Sequence, residues 1–224
     1  QAVGVEAAEI VAGARMAALG ELTFGAGKQG APTFVFFTLG TGIGGGIAID
    51  GKLRLGSLGA AAELGHQTIL PDGPLCGCGS RGCLETLASG PALIGKGAWL
   101  VRCGRAPKLR ERIDGDLARL TPFEMVSAAN DGDAAVREAI VEAASYLGIG
   151  VANLITALHP DLIVLGGGVA KVGSLLFDTV RETVRQRVHM FPTETVRIEP
   201  SQLGDRAGTW GGLALARNPD ICRN

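Results

Sequence analysis

A chain of 224 residues with a net charge of −1 can bury a substantial core, as one large domain or two small ones, and has no general attraction to nucleic acid or an anionic membrane. No charge-free apolar run of about 18 residues appears, so no transmembrane helix is expected. The chain opens Gln-Ala-Val-Gly, without the basic and apolar segments of a secretory signal, which points to a reduced cytoplasmic setting.

The predicted elements begin with "GARMAALGELTFG" (13–25), a short helix of good formers closed by glycine. "TFVFFTLG" (33–40) is a strong β run, followed by "TGIGGG" and a second strand within "GIAIDG". Asp50-Gly51 is a hairpin signal leading into "KLRLG". The run "GTGIGGG" (40–46) reads as an almost all-glycine turn between two strands, whose backbone N–H groups, with Thr41 beside them, can wrap phosphate oxygens. It is not a Walker A loop, because no Gly-Lys-Ser/Thr follows.

Next comes "LCGCGSRGCLE" (75–85), holding three of the chain's five cysteines. The chain is neither short nor cysteine-dense, so a disulfide framework is the poorer reading. Thiolates spaced Cys-x-Cys-x4-Cys are more natural as metal ligands, and structural zinc takes four tetrahedral ligands from Cys and His. Cys76, Cys78 and Cys83 supply three; His66 in "ELGH", one of only three histidines, is the candidate fourth. The plainer alternative is a set of small buried residues in a glycine-rich turn.

The stretch 91–122 is irregular and helical in places, with a charged patch "RAPKLRERIDGD", and reads as an excursion or small subdomain. Asp131 can cap a long helix to about Leu158, with Val136, Ile140, Ala143, Leu147, Val151, Leu154 and Leu158 at three- and four-residue steps. Gly148 and Gly150 within it imply close packing, and His159-Pro160 ends it. "DLIVLGGG" is a continuously apolar strand, as expected when both faces are buried, followed by a glycine turn at a strand's carboxyl end. A helix over 173–188, a strand in "TVRIEPS" and a helix in "TWGGLALA" complete an α/β pattern with helices packed on a sheet.

Taken in sequence, "TLGTGIGGGIAIDGKLRLG", "ELGH", "CGCGSRGCLE", "LGGGV" and "LGDRAGTWGGLALA" resemble the ROK family of repressors, open reading frames and kinases, from about Ala14 to the C-terminal helix. The resemblance implies an actin-like ATPase (ribonuclease H-like) fold with a mixed sheet flanked by helices. It implies an ATP-dependent kinase of a hexose or amino sugar using Mg2+, or a non-catalytic sugar-binding or regulatory relative, in either case commonly a homodimer. By the same resemblance His66, Cys76, Cys78 and Cys83 match the structural zinc ligands, and Glu63, His66 and Glu85 the sugar contacts. Gly40, Thr41, Gly42, Ile43, Gly44, Gly45, Gly46 and Ile47 match a phosphate loop, and Gly166, Gly167 and Gly168 the turn beside the nucleoside.

Two departures from the family pattern shape the expectation. The family's N-terminal Asp-x-Gly-Gly-Thr phosphate loop is not found, so residues 1–30 read as a remnant of a lobe boundary plus a helix. Residues 31–224 then read as the C-terminal lobe, including a zinc loop over 63–85 and a helical excursion over 91–130. The family's catalytic aspartate belongs to an Asn-Asp pair; here Ala12 and Gly13 stand before Ala14, with Glu9 the nearest carboxylate upstream. No catalytic residue is therefore assigned, and phosphoryl transfer is expected to be severely impaired.

Overall fold

The computed structural model describes residues 13–223. A six-stranded mixed sheet runs in the order β5-β4-β1-β2-β3-β6, built from β1 (Thr33–Leu39), β2 (Ile43–Ile49), β3 (Lys52–Arg54), β4 (Leu162–Gly166), β5 (Arg197–Pro200) and β6 (Cys222–Arg223). The first three strands form an antiparallel meander, while β4 and β5 add in parallel beside β1.

Strand alternation explains why β1 and β4 carry apolar side chains on both faces. Phe34, Phe36, Leu162 and Val164 face one core, together with α1 (Gly13–Phe24) and Ala214 of α8 (Ala207–Arg217). Val35, Phe37, Leu39, Ile163 and Leu165 face the other. That second core is filled by α2 (Leu84–Ala88), α3 (Gly90–Arg102), α4 (Pro107–Arg112), α5 (Pro122–Asn130), α6 (Ala134–Leu158) and α7 (Ser174–Arg187). The helices over 90–130 share one continuous core with α6, so this stretch is part of the main body. By length and composition α6 could cross a membrane, but here it is the central helix of this layer, with Val136, Ile140, Leu147, Val151 and Ile155 buried.

Two local expectations change. Asp131 caps the C-terminus of α5 rather than starting α6; Gly132 takes φ +107°, and the long helix begins after Asp133. The buried Asp133 carboxylate instead accepts the backbone N–H of Leu109 at 2.7 Å, tying α4 to the start of α6. The glycine run is also mostly strand. Only Gly40 to Gly42 form the turn, while Gly44, Gly45 and Gly46 pair with Thr38, Phe37 and Phe36. Their N–H groups belong to a ladder strand and do not form one open nest. The missing side chains there serve packing: a Cβ on Gly46 would come within 2.3 Å of the Ala18 methyl, and one on Gly45 within 2.4 Å of Leu64.

Candidate functional site

The glycine turn 40–42 sits where several element starts converge. Gly90, the first residue of α3, donates its N–H to Gly40 O at 2.8 Å. Glu85, on the first turn of α2, accepts the Ile43 N–H through Oε2 at 2.8 Å. Gly167 takes φ +88° directly against the end of β1, where a Cβ would lie 2.5 Å from Leu39 O. The second glycine turn, 166–168, is thus brought beside the first. Between them lies an open cavity of about 410 Å³ lined by Thr41, Pro91, Ile94, Phe123, Gly168 and Val169 among others. Phe123 stands at this cavity with 69% of its surface exposed, an apolar ring without a core partner's cover. Sequence reasoning did not single out Phe123; a lone aromatic after Thr-Pro carries no signal of its own.

The cysteine loop folds as a small knuckle. Gly79 N–H bonds Cys76 O at 2.9 Å, Cys76 N–H bonds Ser80 O at 2.7 Å, and Leu75 bridges Arg81. Gly82 takes φ +64° with Leu70 O where a Cβ would sit, so only glycine permits the return of the chain to Cys83. A bridge between Thr68 and Cys83 then closes the loop onto the segment following His66.

This folding gathers His66, Cys76, Cys78 and Cys83, whose ligand atoms all lie within 4.8 Å of one another. Cys76 Sγ is 3.6 Å from His66 Nδ1, and Cys78 Sγ is 3.7 Å from Cys83 Sγ. A tetrahedral zinc with bonds of about 2.3 Å to sulfur and about 2.0 Å to nitrogen has S–S and S–N edges of about 3.8 and 3.5 Å. The four residues therefore fit such an ion in donor type and in spacing. Burial pushes the Cys83 thiol up to about 12, and its hydrogen bonds and charge contacts with Cys78 and Cys76 push the same way. The exposed Cys78 is lowered instead, first by a hydrogen bond from the Ser80 backbone. Thiols pressed together in this way ionise together only around a cation.

Glu63 opens the 3-10 turn Leu64–His66 that carries His66. Its carboxylate Oε1 accepts from Arg15 Nη2 at 2.7 Å, and Arg15 Nε donates to Ala61 O at 2.8 Å. Arg15 lies on α1 and is 5% exposed, whereas the Glu63 side chain is about half exposed. Sequence reading missed this arginine, although Arg15, Ala18, Leu19 and Leu22 share the buried stripe of α1 at helical spacing, a place where a cation needs a partner.

The structure thus brings Glu63 and His66 together on one turn, joins His66 to the three cysteines, and attaches Glu85 to the glycine hairpin. At the N-terminus of α1, Gly13 is exposed and carries no side chain; Glu9 and Ala12 lie outside the described residues. Glu21, also on α1, is fully buried and accepts from Ala26 N–H, Gln202 N–H, Leu203 N–H and Ser201 Oγ. It ties α1 to the segment that leads into α8, and is a scaffold group rather than part of the site.

The ROK family model matches residues 4–219. The chain is 38% identical over 212 residues to a glucokinase of Streptomyces coelicolor, covering 92% of this chain and 66% of that protein. It is 37% identical over 205 residues to a xylose repressor of Caldicellulosiruptor bescii, covering 90% of this chain and 50% of that one. Among solved structures, a ROK family glucokinase from Streptomyces griseus in complex with glucose and AMPPNP superposes with a TM-score of 0.82 at 39% identity, over 92% of this chain and 66% of that chain. The chain thus spans about two thirds of the length of the glucokinases it matches and half that of the repressor.

Proposed function

The chain belongs to the ROK family, and from that premise we propose that it is a hexose- and ATP-binding sugar kinase relative whose reaction type is transfer of the ATP γ-phosphate to a sugar hydroxyl, here at a very low rate. The carrying observation is that His66 belongs to two constellations at once. It stands in the Cys76, Cys78, Cys83 cluster and, three residues from Glu63, on the turn proposed to meet the sugar. The four cluster residues would hold one structural zinc, which when bound supplies rigidity to a loop with little ladder of its own. With Nδ1 turned to the cluster, the other imidazole nitrogen of His66 donates to a sugar hydroxyl, and its tautomer is set by the metal side. Glu63 and Glu85 accept further hydroxyls. Glu85 does so through the oxygen left over from its bond to Ile43, which links sugar occupancy to the shape of the hairpin.

ATP, with Mg2+, is proposed to lie along the two glycine turns, Gly40–Gly42 and Gly166–Gly168. Its nucleoside would occupy the cavity beside Phe123, with phosphates near the backbone of the glycine turn at Thr41 and Gly42. Gly44 to Gly46 and Ile47 support this site from within β2. Sugar phosphorylation requires a base to orient the hydroxyl, and no carboxylate is carried at Gly13, where α1 begins. That observation favours, as second reading, a sugar-responsive non-catalytic relative, in line with the similarity to the xylose repressor. A cytoplasmic homodimer completes the proposal, checked by light scattering.

The deciding experiment pairs calorimetric binding of hexoses and ATP with a coupled ATP-consumption assay over the same sugars. Sugar binding with turnover at or near background is the expected result. Robust turnover would refute the impaired-kinase reading, and failure to bind any hexose or pentose would refute both readings.

A further inference from the structure

Arg15 is a buried cation in a place the sequence pattern assigns no role. Its guanidinium spans a turn rather than a single partner: Nε holds Ala61 O at 2.8 Å, and Nη2 holds Glu63 Oε1 at 2.7 Å. The residue between these two contacts, Ala62, takes φ +64°, a left-handed conformation that a Cβ-bearing residue seldom adopts. Strained backbone of this kind persists only when its surroundings hold it. Two further bonds brace the same turn, Ala61 N–H to Leu55 O and Leu64 N–H to Ala62 O, both at 2.8 Å. Arg15 itself has little freedom. It lies on the buried stripe of α1, and its Cα approaches Gly46 of β2 closely enough that a Cβ there would be 3.6 Å away.

We propose that Arg15 is a positioning residue that sets the sugar specificity of the site: its two-pronged grip fixes the left-handed turn at Ala62 and presents the Glu63 carboxylate, through its second oxygen, as a pre-oriented acceptor for a hydroxyl of a neutral sugar. This rests on the sugar-binding reading of Glu63. The planar fork of arginine matters because one group must meet a carbonyl and a carboxylate at once, which an ammonium on a flexible stem does poorly. The ion pair also engages Oε1, so Glu63 receives sugar hydroxyls from one side only, and that side selects which hydroxyl stereochemistry is bound well. Arg15 is thus the device by which α1, which carries no base, takes part in the sugar site.

The test is a double-mutant cycle on sugar affinity, using D-glucose, D-mannose, N-acetyl-D-glucosamine and D-xylose as probes in calorimetry, with melting temperature recorded for each variant. Glu63→Gln should weaken the best sugar by about tenfold or more, as expected for losing a charged acceptor. Arg15→Gln should weaken it by about five- to tenfold and flatten the preference among the four sugars. In the Glu63→Gln background, Arg15→Gln should add less than about twofold, because its effect passes through Glu63. Arg15→Lys, which keeps the charge within the same stripe, serves if Arg15→Gln fails to fold; it should lose affinity and selectivity while melting near the unmodified chain. Additive losses in the cycle, an unchanged sugar preference, or full affinity in Arg15→Lys would overturn the proposal while leaving the sugar reading intact. No binding of any probe by the unmodified chain would overturn the sugar reading and this inference with it.

Discussion

Replacing Glu21 by glutamine keeps the shape of a fully buried side chain and removes one acceptor. In the native arrangement Oε2 takes the Ala26 N–H at 3.0 Å and the Gln202 N–H at 3.3 Å, while Oε1 takes Leu203 N–H at 2.8 Å and the Ser201 hydroxyl. Whichever oxygen becomes an amide nitrogen, a backbone N–H then faces a donor. The Ser201 hydroxyl can rotate to compensate, but a backbone N–H cannot. A hydrogen bond to a charged acceptor contributes about 1.5–3 kcal/mol, and a stranded buried donor adds its own desolvation penalty, so Glu21→Gln should destabilise by about 2–4 kcal/mol. For a chain of this size that lowers the melting temperature by about 5–15 °C. Differential scanning calorimetry reads it directly. Ser201→Ala should have a smaller effect, and the two changes combined should fall short of additivity because they share one oxygen. A melting temperature within about 2 °C of the unmodified chain in Glu21→Gln would refute the view that this carboxylate fastens α1 to the segment before α8.

Chain purified without chelator should carry close to one zinc, and Cys83→Ser should lose most of it while Cys103→Ser keeps it, since Cys103 is exposed and outside the cluster; elemental analysis decides. In metal-stripped protein near pH 8, iodoacetamide should label Cys78 well before Cys83. The lowered thiol is the more ionised at any given pH, and the thiol raised to about 12 stays protonated, an order that mass spectrometry of timed samples checks. The same stripped chain should lose stability as pH rises from about 9 toward 12, because the folded state holds the Cys83 proton beyond the point at which the unfolded chain releases it; chemical denaturation at stepped pH would show no such decline if the cluster were open to solvent. Phe123→Ala should weaken ATP binding by about tenfold with sugar affinity unchanged, and an unaltered ATP affinity would move the nucleoside out of the cavity beside it.

Period and punctuation in the sequence by themselves determined most of the elements. The β-rich run at Thr33–Leu39 and the continuously apolar run at Leu162–Gly166 read as strands, the second as one buried on both faces, and the three- and four-residue apolar steps from Val136 read as a long helix. The grouping of one histidine with three cysteines was readable too, because thiols spaced Cys-x-Cys-x4-Cys suggest a shared role, and His66 was the scarce residue available to join them. What the tertiary structure decided were the distances between segments far apart in the chain. The glycines at 44–46 read as a phosphate turn because glycine is equally the mark of an open loop and of a strand pressed by a neighbour; only the packing of Ala18 and Leu64 against them distinguishes the two. Asp131 and Asp133 are interchangeable as caps by composition, and the turn at Gly132 assigns the first to the end of α5 and the second to the Leu109 N–H. Arg15 and Glu63 are separated by 48 residues, and Glu21 lies 180 residues from Ser201. A charged side chain on a buried stripe announces in the sequence that it must have a partner, because an unpaired charge in that environment is too costly. Which partner it finds depends on how the helix crosses the sheet, and no local pattern in the chain encodes that.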